Sequence, residues 1–193
     1  FRKLVDKAGI KARMFATVDQ RGVGERLAWM DVLQLLHPQA IGAGQSGPAT
    51  VGVNSPELHL YATAPDGRLR PTQGYYRAQG WLAYQLGYAG VGVWASWDST
   101  GLADPASGWN PFGVNDRDFG LVYLAPDGCG WPSRRLLAWS RGIEENTMLR
   151  NCAARMPDNS VKRLVKDALA AGAVQTSSRA MSDVIARVAA ACR

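Results

Sequence analysis

The stretch Tyr75 to Asp98, YYRAQGWLAYQLGYAGVGVWASWD, reads as one helix, one turn and one strand. Apolar and aromatic residues recur at Tyr75, Ala78, Leu82, Tyr84, Leu86 and Tyr88, close to the 3.6-residue period of a helix. Gly87 and Gly90 supply the turn, because glycine accepts the backbone angles that a helix end demands. Val91, Val93 and Trp94 follow as a short apolar run, the pattern of a parallel strand covered on both faces. Beyond that run stand Ser96, Trp97 and Asp98. A helix–strand unit whose strand ends in polar, aromatic and acidic groups is how α/β barrels present active sites. The competing reading makes Trp94 and Trp97 core residues and Asp98 a turn cap.

Working outward, the upstream half repeats the theme of strands set apart by helices or loops. Phe1 to Ala8 reads as the end of an amphipathic helix closed by Gly9. Ala12 to Val18 (ARMFATV) is a short strand with Asp19 just beyond it, and Arg21 to Ala28 a brief helix. Trp29 to Leu36 (WMDVLQLL) fits helix or strand, and the following His37-Pro38 favours strand. Pro38 to Pro56 is glycine-rich and patternless, hence a loop. Glu57 to Ala64 (ELHLYATA) alternates, with Leu58, Leu60 and Ala62 on one face and His59 and Tyr61 on the other. Pro65-Asp66-Gly67 ends it with turn chemistry.

Downstream, a long Gly- and Pro-containing loop over Ser99 to Asn115 carries Trp109, and a loop of that length in a compact chain reads as functional. Phe119 to Ala125 is a further strand. Pro132 is expected to open a helix that runs to about Arg155, interrupted by Gly142 at a cost of about 1 kcal/mol relative to Ala. After Pro157, Ser160 to Ala171 and Ser177 to Arg193 form an alanine-rich helical hairpin. The order is that of a parallel α/β fold. Five candidate strands fall short of the eight units of a closed barrel, which leaves an open sheet or half of a barrel, the latter being the favoured reading.

Apolar residues make up 47% of the 193-residue chain, which excludes general disorder. The net charge of +6 is spread along solvated helix faces rather than gathered with aromatics, which argues against nucleic-acid binding. Cys129, Cys152 and Cys192 are too few and too scattered for a disulfide framework, and none has CxxC spacing. With only His37 and His59 as imidazoles, neither a metal nor a cofactor is expected. No run is apolar and long enough to span a bilayer. The chain opens without Met, inside a helix, and is read as part of something longer; the compartment stays open, with an extracytoplasmic setting the working expectation.

Three stretches, YYRAQGWLAYQLGYAGVGVWASWD, DFGLVYLAPDG and WPSRRLLAWSRGIEENTML, together resemble the C-terminal half of the glycoside hydrolase family 123 catalytic domain, a group that also holds sequences filed as domain of unknown function 4091. The resemblance covers roughly Ala12 to Arg155, with ARMFATV, WMDVLQLL and ELHLYATA matching more loosely. The family's helix beginning Pro-x-x-Arg carries an Arg-x-Gly-Ile-Glu-Asp-like signature, here Arg141, Gly142, Ile143, Glu144 and Glu145. Glu145-Asn146-Thr147 departs from the usual Asp with a following aromatic, and on an outer helix that departure bears on packing.

The resemblance implies a TIM-type (β/α)8 barrel of which residues 1–156 hold strands five to eight plus an extra strand, with 157–193 as the C-terminal helical hairpin. It implies a β-N-acetylhexosaminidase-type activity on glycans, in which the substrate's acetamido oxygen attacks the anomeric carbon. The family's Asp-Glu pair closes the fourth strand, which falls upstream of Phe1, and no Asp-Glu dipeptide occurs in this chain. The chain is then expected to supply the wall of a carbohydrate pocket without the catalytic acid. Tyr61 can donate its hydroxyl to the acetamido oxygen or be a half-buried tyrosine. Trp94 and Trp97 can stack on a pyranose face or pack in the core, and Asp98 can accept from ring hydroxyls or cap a turn. Asp19 and Trp109 are weaker candidates, while His37 and His59 are read as structural. The alternative function is a non-catalytic carbohydrate-binding or structural barrel.

Overall fold

A computed structural model describes residues 2–9, 13–19, 30–36, 57–62, 71–93, 121–124, 129–156, 159–170 and 178–192 of the chain. The short helix α1 (Arg2–Lys7) leads to three strands, β1 (Phe15–Asp19), β2 (Val32–Leu36) and β3 (Glu57–Ala62). A π-helical stretch, Thr72–Arg77, then runs directly into α2 (Ala78–Leu86), which Gly87 closes in the left-handed conformation at φ 76°. Strand β4 (Gly90–Val93) follows after two residues. The remaining elements are β5 (Val122–Leu124), β6 (Gly130–Pro132), α3 (Arg134–Ala153), α4 (Ser160–Ala170) and α5 (Ser178–Ala191). None of the described helices is long and apolar enough to cross a membrane.

Strands β1 to β4 form one parallel sheet in the order of the chain, each paired with its sequence neighbour. The N-terminal edge of this sheet is latched by polar contacts. The Asp31 carboxylate accepts from the Met14 amide at 2.6 Å, and the Asp31 carbonyl accepts from the Glu57 amide at 2.9 Å. These bonds fix how far β2 and β3 slide along their neighbours. A register slip of one residue would turn every side chain to the other face.

Three layers result. Leu33 and Leu60 on the sheet pack against Leu82, Ala83 and Tyr88. The opposite side of α2 presents Ala78 and Trp81 to Leu149 and Cys152 of α3, Val161 and Val165 of α4, and Met181, Ile185 and Val188 of α5. Every residue from Ala78 to Ala83 is buried, so α2 is a core helix with no solvent face, as its nearly uncharged sequence AQGWLA requires. The C-terminal hairpin therefore shares its core with the body.

The structure refines the sequence reading at three places here. Among the described residues the downstream strand β5 pairs antiparallel with β6, with Tyr123 opposite Trp131, apart from the four-stranded parallel sheet. Pro132 does not open a helix but ends β6, and the side chain of Ser133 caps α3 by accepting from the Leu136 amide at 3.1 Å. Cys152 and Cys192, apparently scattered, form a disulfide with Cα atoms 5.5 Å apart, because the hairpin folds the end of α5 back onto the last turn of α3. The expected helix at residues 21–28 and the loops at 38–56 and 99–115 lie outside the described residues.

Gly142 has a purpose that helix propensity does not show. A Cβ on Gly142 would collide with the Arg77 carbonyl, and one on Gly80 would collide with the carbonyl of Gly142. The two glycines let α2 and α3 cross backbone to backbone, and Asn146 Nδ2 seals the crossing by donating to the Gly80 carbonyl at 2.6 Å. Gly142→Ala gains about 1 kcal/mol of helix propensity but must push the helices apart. We expect a net loss of about 2 kcal/mol, read as a lower urea midpoint at unchanged slope.

The disulfide closes a loop with a sequence separation of 40, which in the chain-entropy account stabilises by about 4 kcal/mol. Alkylation of the unreduced, denatured protein is expected to label Cys129 alone, which is exposed and lies outside the disulfide. Prior reduction should expose all three thiols and lower the thermal midpoint.

Candidate functional site

The two faces of the parallel sheet differ in chemistry. One carries the apolar residues that pack on α2. On the other, the register sets Thr17 beside Gln34, Gln34 beside His59 and His59 beside Gly90, making a cross-strand row. A second row, one step toward the C-terminal ends of the strands, runs Asp19, Leu36, Tyr61, Gly92. Thr17 is exposed, and Gln34, His59 and Tyr61 are half-buried.

Thr17, Gln34, His59 and Tyr61 are ordered by one another and by the glycines opposite. The Thr17 hydroxyl lies 3.0 Å from Gln34 Oε1 and donates to it. A Cβ on Gly92 would collide with the Gln34 amide and stand 3.2 Å from Tyr61 Cδ2. A Cβ on Gly90 would come within 2.7–2.8 Å of three atoms of the His59 ring. The bare backbone of β4 is thus the floor on which the longer polar side chains of β2 and β3 lie. Glycine in a strand marks such a close approach.

At the N-terminal end of β3, Glu57 Oε1 meets His59 Nε2 at 2.6 Å while its Oε2 accepts from Arg13 Nη2 at 2.7 Å. The hydrogen bond from His59 and then that from Arg13 hold the Glu57 carboxyl below its ordinary value of 4.5, and the same pairing raises the Arg13 guanidinium. Tyr61 behaves in the opposite sense: burial raises its phenol above 10.0, so the hydroxyl stays protonated and able to donate at neutral pH. Among the described residues no group of three or more His, Cys, Asp or Glu side chains is arranged to hold a metal ion.

Of the residues singled out in the sequence, Tyr61 lies on this polar face, one residue from the C-terminal end of β3. Asp19 is the last residue of β1 rather than the one beyond it. Trp94, Trp97 and Asp98 follow β4 in the chain and lie outside the described residues, as do Trp109 and His37. Sequence reasoning passed over Thr17, Gln34 and Glu57. The available signal was polar residues at alternate positions of otherwise apolar strands: Gln34 in VLQLL, Glu57 and His59 in ELHLYA.

No family model matches the chain, and no curated protein matches it either.

Because the Glu57 carboxyl is depressed in the folded state, its contribution to stability is present above the unfolded carboxyl value and is lost as the pH falls through the lower folded value. Glu57→Gln is expected to flatten the acid limb of a stability–pH profile measured by chemical denaturation. Near neutrality the change should be small, because the pair is partly exposed.

Proposed function

We propose that the chain is the C-terminal half of a glycoside-hydrolase-like (β/α)8 barrel, and that its polar sheet face forms one wall of a pocket for an N-acetylhexosamine. The observation that carries this reading is a parallel sheet wound in chain order with apolar residues toward α2 and, on the other side, Thr17, Gln34, His59 and Tyr61 beyond an N-terminal row of Phe15, Val32 and Glu57. Chain-ordered parallel pairing is the arrangement of barrel strands, whose interior residues alternate with exterior ones. A sugar asks for hydrogen-bond donors and acceptors at several points, and hydroxyl, amide, imidazole and phenol supply both kinds.

In this reading the neutral Tyr61 hydroxyl donates to the acetamido oxygen and thereby orients it toward the anomeric carbon. Trp97 stacks on the pyranose, Trp94 backs it, and Asp98 accepts from ring hydroxyls. The general acid is not among these residues. The family resemblance assigns it to an Asp-Glu pair, and no Asp-Glu dipeptide occurs here. That same observation favours a second reading, a carbohydrate-binding or structural barrel without catalysis. Hydrolysis of chromogenic N-acetylhexosaminides by the product of the full reading frame supports the enzyme; saturable binding without turnover supports the second.

For the chain itself, titration with N-acetylgalactosamine and N-acetylglucosamine, followed by amide chemical shifts, is expected to give saturable changes centred on β3. Tyr61→Phe should weaken binding by about fivefold, the loss of one hydrogen bond. Galactose, which lacks the acetamido group, should be indifferent to that substitution. Absence of saturable binding, or equal affinity in Tyr61→Phe, would overturn the assignment.

A further inference from the structure

A cleft of about 360 Å³ opens between the π-helical stretch, the first half of α3 and α5. We infer that this cleft binds a small molecule bearing a phosphate or sulfate group. Three arginines line it, Arg77, Arg134 and Arg141, together with Thr72, Gln73 and Ser182. Its volume lies in the range of small-ligand pockets and exceeds what a bare oxyanion fills.

The arginines differ in how they are held, and that difference is the argument. The Arg77 side chain is 4% exposed and gripped by Glu145, to which its Nε and Nη2 donate at 2.8 and 2.5 Å. Its Nη1 donates to Gln73 Oε1 at 3.2 Å. Arg141 is held by Glu145 at 2.9 Å and Glu144 at 3.4 Å. Two guanidiniums are therefore fixed in place before any ligand arrives. Arg134, by contrast, is exposed and makes no ion pair among the described residues.

Among the described residues the Arg134 guanidinium has no carboxylate partner, so its charge faces the cleft uncompensated by an ion pair. No acidic residue occupies the first turn of α3 to offset it. Planar N–H forks match the oxygens of phosphate and sulfate, and hydrogen bonds to an ionised acceptor are the stronger kind. Hydroxyl and amide groups from Thr72, Gln73 and Ser182 complete a polar rim, while Leu137 and Ala138 give an apolar side for the body of the ligand. A fully charged anion such as phosphate suits this better than a neutral sugar. The site is separate from the sheet face, and its test does not depend on the sugar reading.

The test is amide chemical-shift titration of the whole chain at constant ionic strength. Separate arms use inorganic phosphate, inorganic sulfate, glucose 6-phosphate, glucose and chloride. Saturable shifts at Gln73, Arg134 and Leu137 are expected with phosphate, sulfate or glucose 6-phosphate, and none with glucose or chloride. The preferred anion distinguishes a phosphorylated from a sulfated ligand. Arg134→Gln should weaken binding by about tenfold, the loss of one charge-assisted contact. Arg163→Gln on α4, an exposed arginine that does not line the cleft, should leave affinity unchanged and controls for overall charge. Non-saturable shifts, equal shifts with chloride, undiminished binding in Arg134→Gln or an equal loss in Arg163→Gln would each overturn the proposal.

Discussion

One carboxylate organises the helical side of this protein. Glu145, 2% exposed, accepts from Arg77 Nε and Nη2, Trp81 Nε1 and Arg141 Nε, so its lone pairs are saturated by three side chains. Burying a charge in a helix interface costs several kcal/mol unless such a set of donors compensates it. The compensation is geometric as well as energetic. Arg77 ends the π-helical stretch, Trp81 belongs to α2 and Arg141 to α3, so the bonds converge only when those elements sit in one arrangement. The Gly80–Gly142 approach lies in the same patch and sets the distance over which they must reach. Because α2 is also the surface on which the sheet rests, the orientation settled at Glu145 is passed on to Leu82 and Ala83 and from them to the strands.

Glu145 and its neighbour Asn146 are both buried, and both hold helices together. Asn146 donates to the Gly80 carbonyl and accepts from Arg150 Nε at 2.6 Å, while Arg150 in turn donates to the Tyr88 carbonyl. The polar chain thus continues from the crossing point to the turn that precedes β4. It holds the end of α2 in register with the strand whose glycines floor the polar face.

How much of this was legible depended on the range of the interaction that decides each feature. Local sequence was enough for α2, an apolar run closed by Gly87, and for the alternation of β3, because those are set by neighbours in sequence. The π-helical entry to α2 was invisible, since it answers to Arg77 reaching Glu145 across 68 positions. The hairpin β5–β6 was missed on one side because Gly130-Trp131-Pro132 is too short to show any period and acquires its form from pairing with Val122–Leu124. Gly142 read as a defect because propensity counts only the helix it sits in. At the candidate site, Tyr61 was found from its place near a strand end. Gln34 was not, because its partner Thr17 and the glycine beneath it are brought near only by the register of separate strands. His59 read as structural from sequence, and the Glu57 contact fits that role as well as it fits a place in the polar row.

The bond between Cys152 and Cys192 carries a topological consequence. It staples the end of the longest described helix to the end of the last one, so α4 and α5 belong to a covalent ring that also includes the last two residues of α3. A single peptide cleavage anywhere inside that ring would leave both products attached to each other. The connector at positions 171–177 can therefore be severed without α5 drifting off the outer layer, and the integrity of that layer is guarded by sulfur chemistry rather than by an unbroken backbone.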